Sequence, residues 1–302
     1  MRLDGFRALL GLLLCCAVLT RGTDGRAACV VDDTDTEVCL EAPPARVVSL
    51  YGAFTELLWE IGAGRSIVAR TKDDTTVPAV AQLASVGTGL RPDVELLLAL
   101  RPDLVVSRGS RAAQEALGAL RERSLKVAAF DPSSLDGLYS TAERLGLLTG
   151  RGEETRRLAE GIRGQIAGVA SRAAAATRRL RVAYEVRADP LTVAGSGGLI
   201  DDLIRAAGGV NALGIDKKLV TLDVEALLRL DPDVYVVQKG PMNRNPAPPS
   251  ERPHLALLRA VREGRVLFVE EQLFARPGPH VAEAAELLSR FLHPDLWASG
   301  SR

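Results

Sequence analysis

VELLLALRPDLVV (residues 94–106) decides the fold, because nearly the same stretch returns as VEALLRLDPDVYV (residues 224–236). In each copy, apolar residues recur at the i, i+3 and i+4 spacing of a helix. A proline then ends the helix, since it lacks an N–H group and restricts the residue before it. The β-branched and apolar run that follows is typical of a buried strand. The repeat therefore predicts two similar lobes in one chain.

Strand and helix patterns alternate on both sides of this repeat. Residues 46–50 and 127–130 have strand patterns, residues 55–61 have a helical one, and residues 181–186 begin a second series. Such alternation predicts parallel sheets covered by helices. Between the two series, residues 152–180 place apolar side chains on one helical face. We expect one helix there, roughly 40 Å long at 1.5 Å per residue.

The predicted fold is therefore α/β, with two lobes that contain parallel sheets and one long α-helix that joins them. We divide the chain into a signal peptide (1–28), an N-terminal hairpin (29–45), an N-terminal lobe (46–150), a connecting helix (151–180), a C-terminal lobe (181–295) and a tail (296–302).

Composition excludes several classes of protein. The 302 residues are 47% hydrophobic and 25% charged, as in globular proteins. The formal net charge is zero, which argues against a nucleic-acid partner, since such proteins usually carry a basic excess.

The N-terminus has the features of a secretory signal. Arg2 and Arg7 supply positive charge, and the apolar run 8–19 is too short to span a bilayer. Small residues at Gly25, Ala27 and Ala28 offer a cleavage site. We therefore expect export to the periplasm.

Two cysteines follow this leader, and their setting agrees with export. Cys29 and Cys39 flank a polar turn between short apolar runs, a pattern that predicts a hairpin with a cross-strand disulfide. Closing so short a loop stabilises a protein by roughly 2–3 kcal/mol in the chain-entropy model. The alternative is a lipoprotein acylated at Cys29. It is disfavoured because Asp24 and Arg26 lie where an apolar run is expected.

Several motifs together resemble one family. They are RVVSL (46–50), TELL (55–58), IGAG (61–64), the stretch 95–106 and ARPGP (275–279). The chain is similar in these motifs to the helical-backbone solute-binding proteins of ABC importers, which take up iron–siderophore complexes, cobalamin and haem. The resemblance implies two Rossmann-like lobes joined by one long helix, with the ligand in the cleft. It also implies no enzymatic activity, no cofactor of its own, and a permease dimer with its ATPase subunits as partner; we expect a monomer.

The two copies of the repeat carry a glutamate at the same position, Glu95 and Glu225. The resemblance implies that this pair docks into arginine pockets on the permease, one glutamate per lobe. Exposed carboxylates form charge-assisted bonds with arginine. The plainer alternative is that each glutamate favours the N-terminal end of its helix dipole.

Loops that follow the strands supply candidate ligand contacts, since open α/β sheets bind ligands at that edge. They hold Tyr51, Arg91, Arg108, Arg187, Lys239, Phe274 and Arg276. Guanidinium groups bind carboxylates well, so this set predicts an anionic metal chelate containing iron or cobalt. Aromatic residues are only 4% of the chain, and residues 87–90 lack the tryptophan of the cobalamin-binding relative. We therefore rank an iron–siderophore ahead of cobalamin and haem.

Other chemistry finds less support. The histidines, His254, His280 and His293, are scattered without metal-ligand spacing, so a bare-metal receptor is disfavoured and we assign no metal site. Tyr51 is of a type that ligates haem iron, although a cleft-wall role is the plainer interpretation. Gly195–Gly198 offers either an anion cradle before a helix or a simple turn. An exported enzyme and a ligand sensor remain alternative functions, since the fold alone does not separate them.

Overall fold

The N-terminal part of the chain is a β-hairpin. The computed structural model describes residues 27–298, so the predicted signal peptide lies almost wholly outside the described residues. Strand β1 (Ala28–Val31) pairs with β2 (Glu37–Leu40), and Cys29 lies opposite Cys39. These two cysteines form a disulfide on the exposed face of the hairpin. The prediction of a disulfide-bonded hairpin is thus confirmed.

The N-terminal lobe is built on a four-stranded parallel sheet in the order β4-β3-β7-β8. Its strands are β3 (Val47–Ser49), β4 (Ile67–Ala69), the short ribbon β5 (Gly87–Thr88) and β6 (Arg91–Pro92), β7 (Leu104–Arg108) and β8 (Val127–Phe130). Its helices are α1 (Gly52–Glu60), α2 (Pro78–Ala81), α3 (Val94–Leu100), α4 (Gln114–Glu122) and α5 (Leu135–Thr149).

Helix α6 (Gly152–Ala173) joins the two lobes. It packs on α5 of the first lobe and on two helices of the second. Its 22 residues span about 33 Å at 1.5 Å per residue. The prediction that this helix reaches residue 180 was wrong. The Arg178 guanidinium bonds to the buried Asp233 carboxylate at 2.7 Å, and this contact draws the chain out of the helix toward the second sheet.

The C-terminal lobe has a six-stranded sheet in the order β12-β10-β9-β13-β14, with β11 beside β9. Its strands are β9 (Arg181–Arg187), β10 (Thr192–Ala194), β11 (Val210–Asn211), β12 (Leu219–Thr221), β13 (Val234–Lys239) and β14 (Val266–Glu270). Its helices are α7 (Leu199–Ala206), α8 (Val224–Leu230), α9 (Arg259–Arg262), α10 (Glu271–Phe274), α11 (Val281–Leu292) and α12 (Asp295–Ala298). The last of these crosses the predicted boundary between the lobe and the tail.

This second sheet is mixed, although the sequence predicts a parallel one. Strands β9, β13 and β14 are parallel, but β10 runs antiparallel to β9 and to β12. Only residues 188–191 connect β9 to β10. So short a link allows an antiparallel return, whereas a parallel crossover needs a dozen or more residues.

The sequence repeat is also a structural repeat. Helices α3 and α8 are capped by Asp93 and Asp223, whose carboxylates accept backbone N–H bonds at 3.0 and 2.6 Å. Such caps satisfy donors that a helix leaves free at its start. The aspartates of the two Pro-Asp turns, Asp103 and Asp233, each accept a backbone N–H bond at the start of the first strand of their lobe, from Arg46 and Arg181. The two lobes therefore use the same aspartate hydrogen bonds at equivalent positions.

No helix within residues 27–298 is both long enough and apolar enough to cross a membrane. One hydrophobic core cluster runs from the first lobe through α6 into the second. The two lobes and the connecting helix are thus packed as one body, and the site lies where strands of both sheets end.

Candidate functional site

The carboxyl ends of three neighbouring strands bring polar side chains together in the first lobe. Tyr51 follows β3, Arg108 ends β7 and Asp131 follows β8. Adjacent parallel strands end at the same edge of a sheet, which is where open α/β sheets bind ligands. The N-terminal side of the candidate site is built on these three residues.

Tyr51 and Arg108 are in direct contact. The Arg108 guanidinium carbon lies 5.0 Å from the centroid of the Tyr51 ring, within cation–π range. The ring also meets Phe54 edge-on, with centroids 5.0 Å apart. Burial raises the pKa of the Tyr51 phenol, whereas the positive charges of Arg108 and Arg276 act to lower it. The two arginines therefore only partly offset the burial that favours the neutral phenol.

Arg108 also forms an ion pair with Asp131. The two side chains keep 31% and 32% of their surface exposed, so the pair faces the cleft without being sealed from it. One carboxylate thus already neutralises the arginine that the sequence assigned to an anionic ligand. A ligand carboxylate would have to share Arg108 with Asp131.

Arg276 reaches the same region from the second lobe. Its Nη1 atom lies 3.2 Å from the point where a Cβ would stand on Gly52. Gly278 approaches the Glu56 carboxylate and Ala53 in the same way. The loop after α10 therefore rests on the start of α1. A groove of about 430 Å³ is lined by Arg276 but not by Tyr51 or Arg108, so it borders this site without forming it.

The lobes also meet at a second edge of the cleft. The Asp202 carboxylate accepts the Leu135 backbone N–H at 2.9 Å, and Gly198 faces the Ser133 carbonyl. Lys218 lies on this edge, with its stem against Gly198. Desolvation of its ammonium group lowers the pKa of Lys218, and the charge of Arg108 lowers it further, while Asp131 opposes both. Lys218 is thus a cation of the second lobe beside the Arg108–Asp131 pair.

A second carboxylate lies close to the phenol. Glu271 begins α10 and accepts the Met242 backbone N–H at 2.9 Å. Its negative charge acts to raise the pKa of both Tyr51 and Tyr184. Two cations, Arg108 and Arg276, and two carboxylates, Asp131 and Glu271, therefore act on Tyr51, so their formal charges balance.

Asp74 is a buried carboxylate behind this site, with only 1% of its surface exposed. The Thr55 hydroxyl donates a hydrogen bond to its Oδ2 atom, while Oδ1 has no hydrogen-bond partner. Burial raises the pKa of Asp74, opposed by the Thr55 bond and by the charges of Arg276 and Arg70. Oδ1 lies 3.5 Å from the Cβ position of Gly52, which Arg276 approaches to 3.2 Å from the other lobe.

The remaining predicted contacts are placed less centrally. Arg91 is exposed on the β5–β6 ribbon, whose Gly89 abuts the Leu50 carbonyl just before Tyr51. Arg187 ends β9. Lys239 is exposed over the Phe268 ring and borders a separate groove with Arg244. Within residues 27–298, no carboxylate oxygen lies within 4.0 Å of the cationic groups of Arg91, Arg187, Lys239 or Arg276.

Phe274 differs from the other predicted contacts. Its ring is buried, with 1% of its surface exposed, and packs on Tyr184 in the core. In this arrangement it supports the cleft from behind and offers almost no surface to a ligand.

The glycine-rich loop before α7 is a packed turn. The backbone N–H groups of Gly195, Ser196 and Gly197 already donate to carbonyls of Ile215, Lys217 and Lys218. A side chain at Gly195 would stand 2.1 Å from the Lys217 carbonyl oxygen, which explains the glycine. Because these donors are used, the turn interpretation describes the loop better than the anion cradle does.

The described residues offer one cluster of three metal-ligand types, Cys29, Glu37 and Cys39. Two of its members form the disulfide, so their sulfur atoms are not free thiolates. The scattered histidines add no further cluster within residues 27–298.

Three residues of the site were missed by the sequence reasoning. Asp131 and Glu271 each follow a strand directly, so the strand-end rule could have found them, but only cations and aromatics were sought. Lys218 precedes β12, an antiparallel strand. No sequence pattern places it opposite Arg108.

The glutamate pair of the repeat lies at the starts of α3 and α8, away from the Tyr51 cluster. Glu95 keeps 85% of its side chain exposed and has only a 3.5 Å contact with Arg123. Glu225 is likewise exposed. Each lobe thus presents one exposed carboxylate at the equivalent place.

Comparison with known proteins places this architecture. Residues 47–273 match the family described as periplasmic binding protein. The chain is 25% identical to the uncharacterized ABC transporter substrate-binding lipoprotein YvrC of Bacillus subtilis, over 88% of this chain and 85% of that protein. It is 25% identical to a vitamin B12-binding protein of Pectobacterium carotovorum, over 81% and 87%. A periplasmic heme-binding protein from Pseudomonas aeruginosa superposes with a TM-score of 0.74 and 26% identity, over 83% and 93%.

Proposed function

The chain belongs to the periplasmic binding protein family, whose members are substrate-binding transport proteins and not enzymes, and from this premise we propose that it captures an anionic iron chelate between its lobes. It then delivers the chelate to the permease of an ABC importer. The observation that carries this proposal is the position of Tyr51, which contacts Arg108 of its own lobe and precedes Gly52, against which Arg276 of the other lobe lies. A ligand held there contacts both lobes at once.

Among iron chelates, this geometry favours haem over the siderophore that the sequence ranks first. A tyrosine oxygen is one of the protein ligands that bind haem iron. Iron coordination requires the phenol to lose its proton. Burial raises the pKa of Tyr51, and the charges of Arg108 and Arg276 oppose that rise. The haem propionates are carboxylates, which Arg276 and Lys218 suit as partners. The relatives named heme-binding, such as the one from Pseudomonas aeruginosa, agree with this choice.

Cobalamin is the second candidate, because several relatives are named vitamin B12-binding proteins. Residues 87–90 form the ribbon beside Leu50 and supply no tryptophan to stack on a corrin ring. On cobalamin the corrin side chains are amides, so only the phosphodiester of the nucleotide loop offers an anionic partner for the cations around Tyr51. We therefore place cobalamin behind haem.

Export and docking complete the proposal. We propose that the protein works in the periplasm after removal of its signal peptide. Cys29 is engaged in the disulfide, so its sulfur is not open to acylation. Glu95 and Glu225 contact arginines of the two permease subunits, one from each lobe, and the exposure of both carboxylates supports this assignment. The protein acts as a monomer.

The proposal is tested by titrating the purified protein with haemin, a ferric hydroxamate siderophore and cyanocobalamin while recording absorption spectra. Haemin should bind tightly and show the spectrum of a tyrosine-ligated ferric haem. The Tyr51→Phe variant should lose that spectrum. Tyr139→Phe is a matched control, because Tyr139 is also a tyrosine with an arginine on its ring but lies on α5, where Arg163 of α6 is 4.1 Å from the ring centroid.

Two results would contradict the ligand assignment. One is that the protein binds cyanocobalamin tightly and binds neither haemin nor the siderophore. The other is a haemin spectrum that is identical in the wild-type protein and in Tyr51→Phe.

A further inference from the structure

The turn of the N-terminal hairpin covers the open edge of the first sheet. Strand β8 is the last in the order β4-β3-β7-β8, so its outer N–H and C=O groups lack a partner strand. Asp33 donates its backbone N–H to the Ala129 carbonyl at 2.9 Å. The Asp32 carboxylate accepts the Ala129 N–H, also at 2.9 Å. The turn thereby does for this edge what a neighbouring strand would do.

Asp32 fixes the turn in place. Its side chain is fully buried and also accepts a 2.7 Å bond from Arg121. Its other oxygen accepts the backbone N–H groups of Thr34 and Thr36 at 2.8 and 3.1 Å. Because Asp32 bonds both to the backbone of its own turn and to β8, the turn has little freedom to shift along the sheet.

Asp33 extends this contact to the ligand site. Its Oδ2 atom accepts the backbone N–H of Asp131 at 2.7 Å, and its Oδ1 atom accepts a 2.6 Å bond from Arg144. The side chain of Asp131 in turn pairs with Arg108. A continuous series of polar contacts therefore runs from Arg144 through Asp33 and Asp131 to the guanidinium that lies on Tyr51.

We propose that Asp33 is a positioning residue for the ligand site: the hairpin turn holds Asp131, and through it Arg108, in the orientation that receives the ligand. This inference rests on the proposed function, since Arg108 matters for binding only if the ligand occupies the Tyr51 region. The hairpin, which lies before the residues that match the family, thus contributes to recognition without touching the ligand.

The test compares substitutions of two aspartates in the same turn. Asp33→Ala removes both acceptor oxygens, and Asp33→Asn leaves one oxygen for two donors. Asp35→Asn is the matched control, because Asp35 is exposed, makes no side-chain hydrogen bond within the described residues, and has a φ of 58° that asparagine tolerates.

The first measurement uses the unliganded protein. Amide hydrogen exchange at Asp131 and the side-chain Nε–H resonance of Arg108 report the positioning directly. We expect exchange at Asp131 to be about tenfold faster in Asp33→Ala and the Arg108 resonance to shift, with neither change in Asp35→Asn. If both signals stay as in the wild-type protein, the inference is overturned, whatever the ligand proves to be.

The second measurement separates positioning from general stability. Asp33→Ala should weaken haemin binding about tenfold in the wild-type background and less than twofold in the Arg108→Ala background, because coupled residues are not additive. Equal losses in both backgrounds would show a merely structural role and overturn the inference. A wild-type protein that binds no haemin would instead overturn the proposed function, and the unliganded measurement would still decide the role of Asp33.

Discussion

Arg108 lies over the ring of Tyr51, with 5.0 Å between the guanidinium carbon and the ring centroid. The two residues stand at the ends of adjacent strands, since β3 pairs with β7. This contact places a delocalised cation against a phenol at the mouth of a cleft. The arrangement suits a ligand that carries both a Lewis-acidic metal ion, for the phenol, and carboxylates, for the cation.

Two neighbouring carboxylates limit the positive charge of the site. Asp131 pairs with Arg108, and Glu271 acts on Tyr51 from the second lobe. The site therefore selects by the arrangement of its charges more than by an excess of them. This view makes Arg276 and Lys218, which reach across from the second lobe, contributors to the binding of an anion.

Lys218→Ala should weaken haemin binding two- to fivefold, because an exposed ion pair contributes roughly 0.2–1 kcal/mol. Lys217→Ala is the control, since Lys217 is the exposed neighbour on the same segment. The affinities are measured by fluorescence quenching at low and at high salt. If both substitutions reduced the haemin affinity equally, Lys218 would not be a specific contact of the ligand.

Reversal of either repeat glutamate, Glu95→Arg or Glu225→Arg, should reduce uptake at least tenfold while haemin affinity changes less than twofold. Like charges at a contact cost several kcal/mol, and both residues lie away from the Tyr51 cluster. The measurement is uptake by a deletion strain that carries each variant.

Glu160→Arg serves as the control for that experiment, because Glu160 is exposed on the connecting helix. Normal uptake by both repeat variants would show that these carboxylates do not dock.

Asp74→Asn should raise the melting temperature at pH 7.5. Burial raises the pKa of Asp74, so the folded protein binds this proton more readily than the unfolded chain. Its contribution to stability therefore falls as pH rises from the ordinary aspartate pKa through the raised one, and asparagine removes that loss. Each kcal/mol corresponds to about 2–4 °C for a chain of this size.

The gain of Asp74→Asn should shrink as pH is lowered, when the wild-type carboxyl takes up its proton. Asp73→Asn is the control, because Asp73 is exposed next to it. Scanning calorimetry at pH 4.5 and at pH 7.5, the two conditions chosen here, gives the melting temperatures of both variants and of the wild-type protein. A variant that is less stable at pH 7.5 would show that the ionised carboxylate is needed by Arg276 or Arg70.

Local periodicity was enough to predict most of the fold. The helix and strand of each repeat, the bridging helix and the hairpin depend on residues close in sequence, and all are present. The end of α6 was missed because it depends on the contact between Arg178 and Asp233. The antiparallel β10 was missed because the brevity of the β9–β10 link carried no weight in the sequence reasoning.

The site was only partly predictable for a different reason. Tyr51 and Arg108 follow from the rule that ligands bind at strand ends. The partners that define their chemistry come from elsewhere: Asp131 from the next strand, and Lys218 from a segment of the other lobe. Burial of Phe274 against Tyr184 depends on how α10 packs, which no spacing in the sequence reveals.

The central claim is that an iron chelate is held between the lobes at Tyr51, Arg108 and Arg276. Native mass spectrometry with metal analysis, on protein purified from its own periplasm, tests this most directly. The wild-type protein should carry one adduct that contains iron, and the Arg108→Ala, Arg276→Ala double variant should lose it while remaining folded. A cobalt-containing adduct that survives the double substitution would contradict the claim.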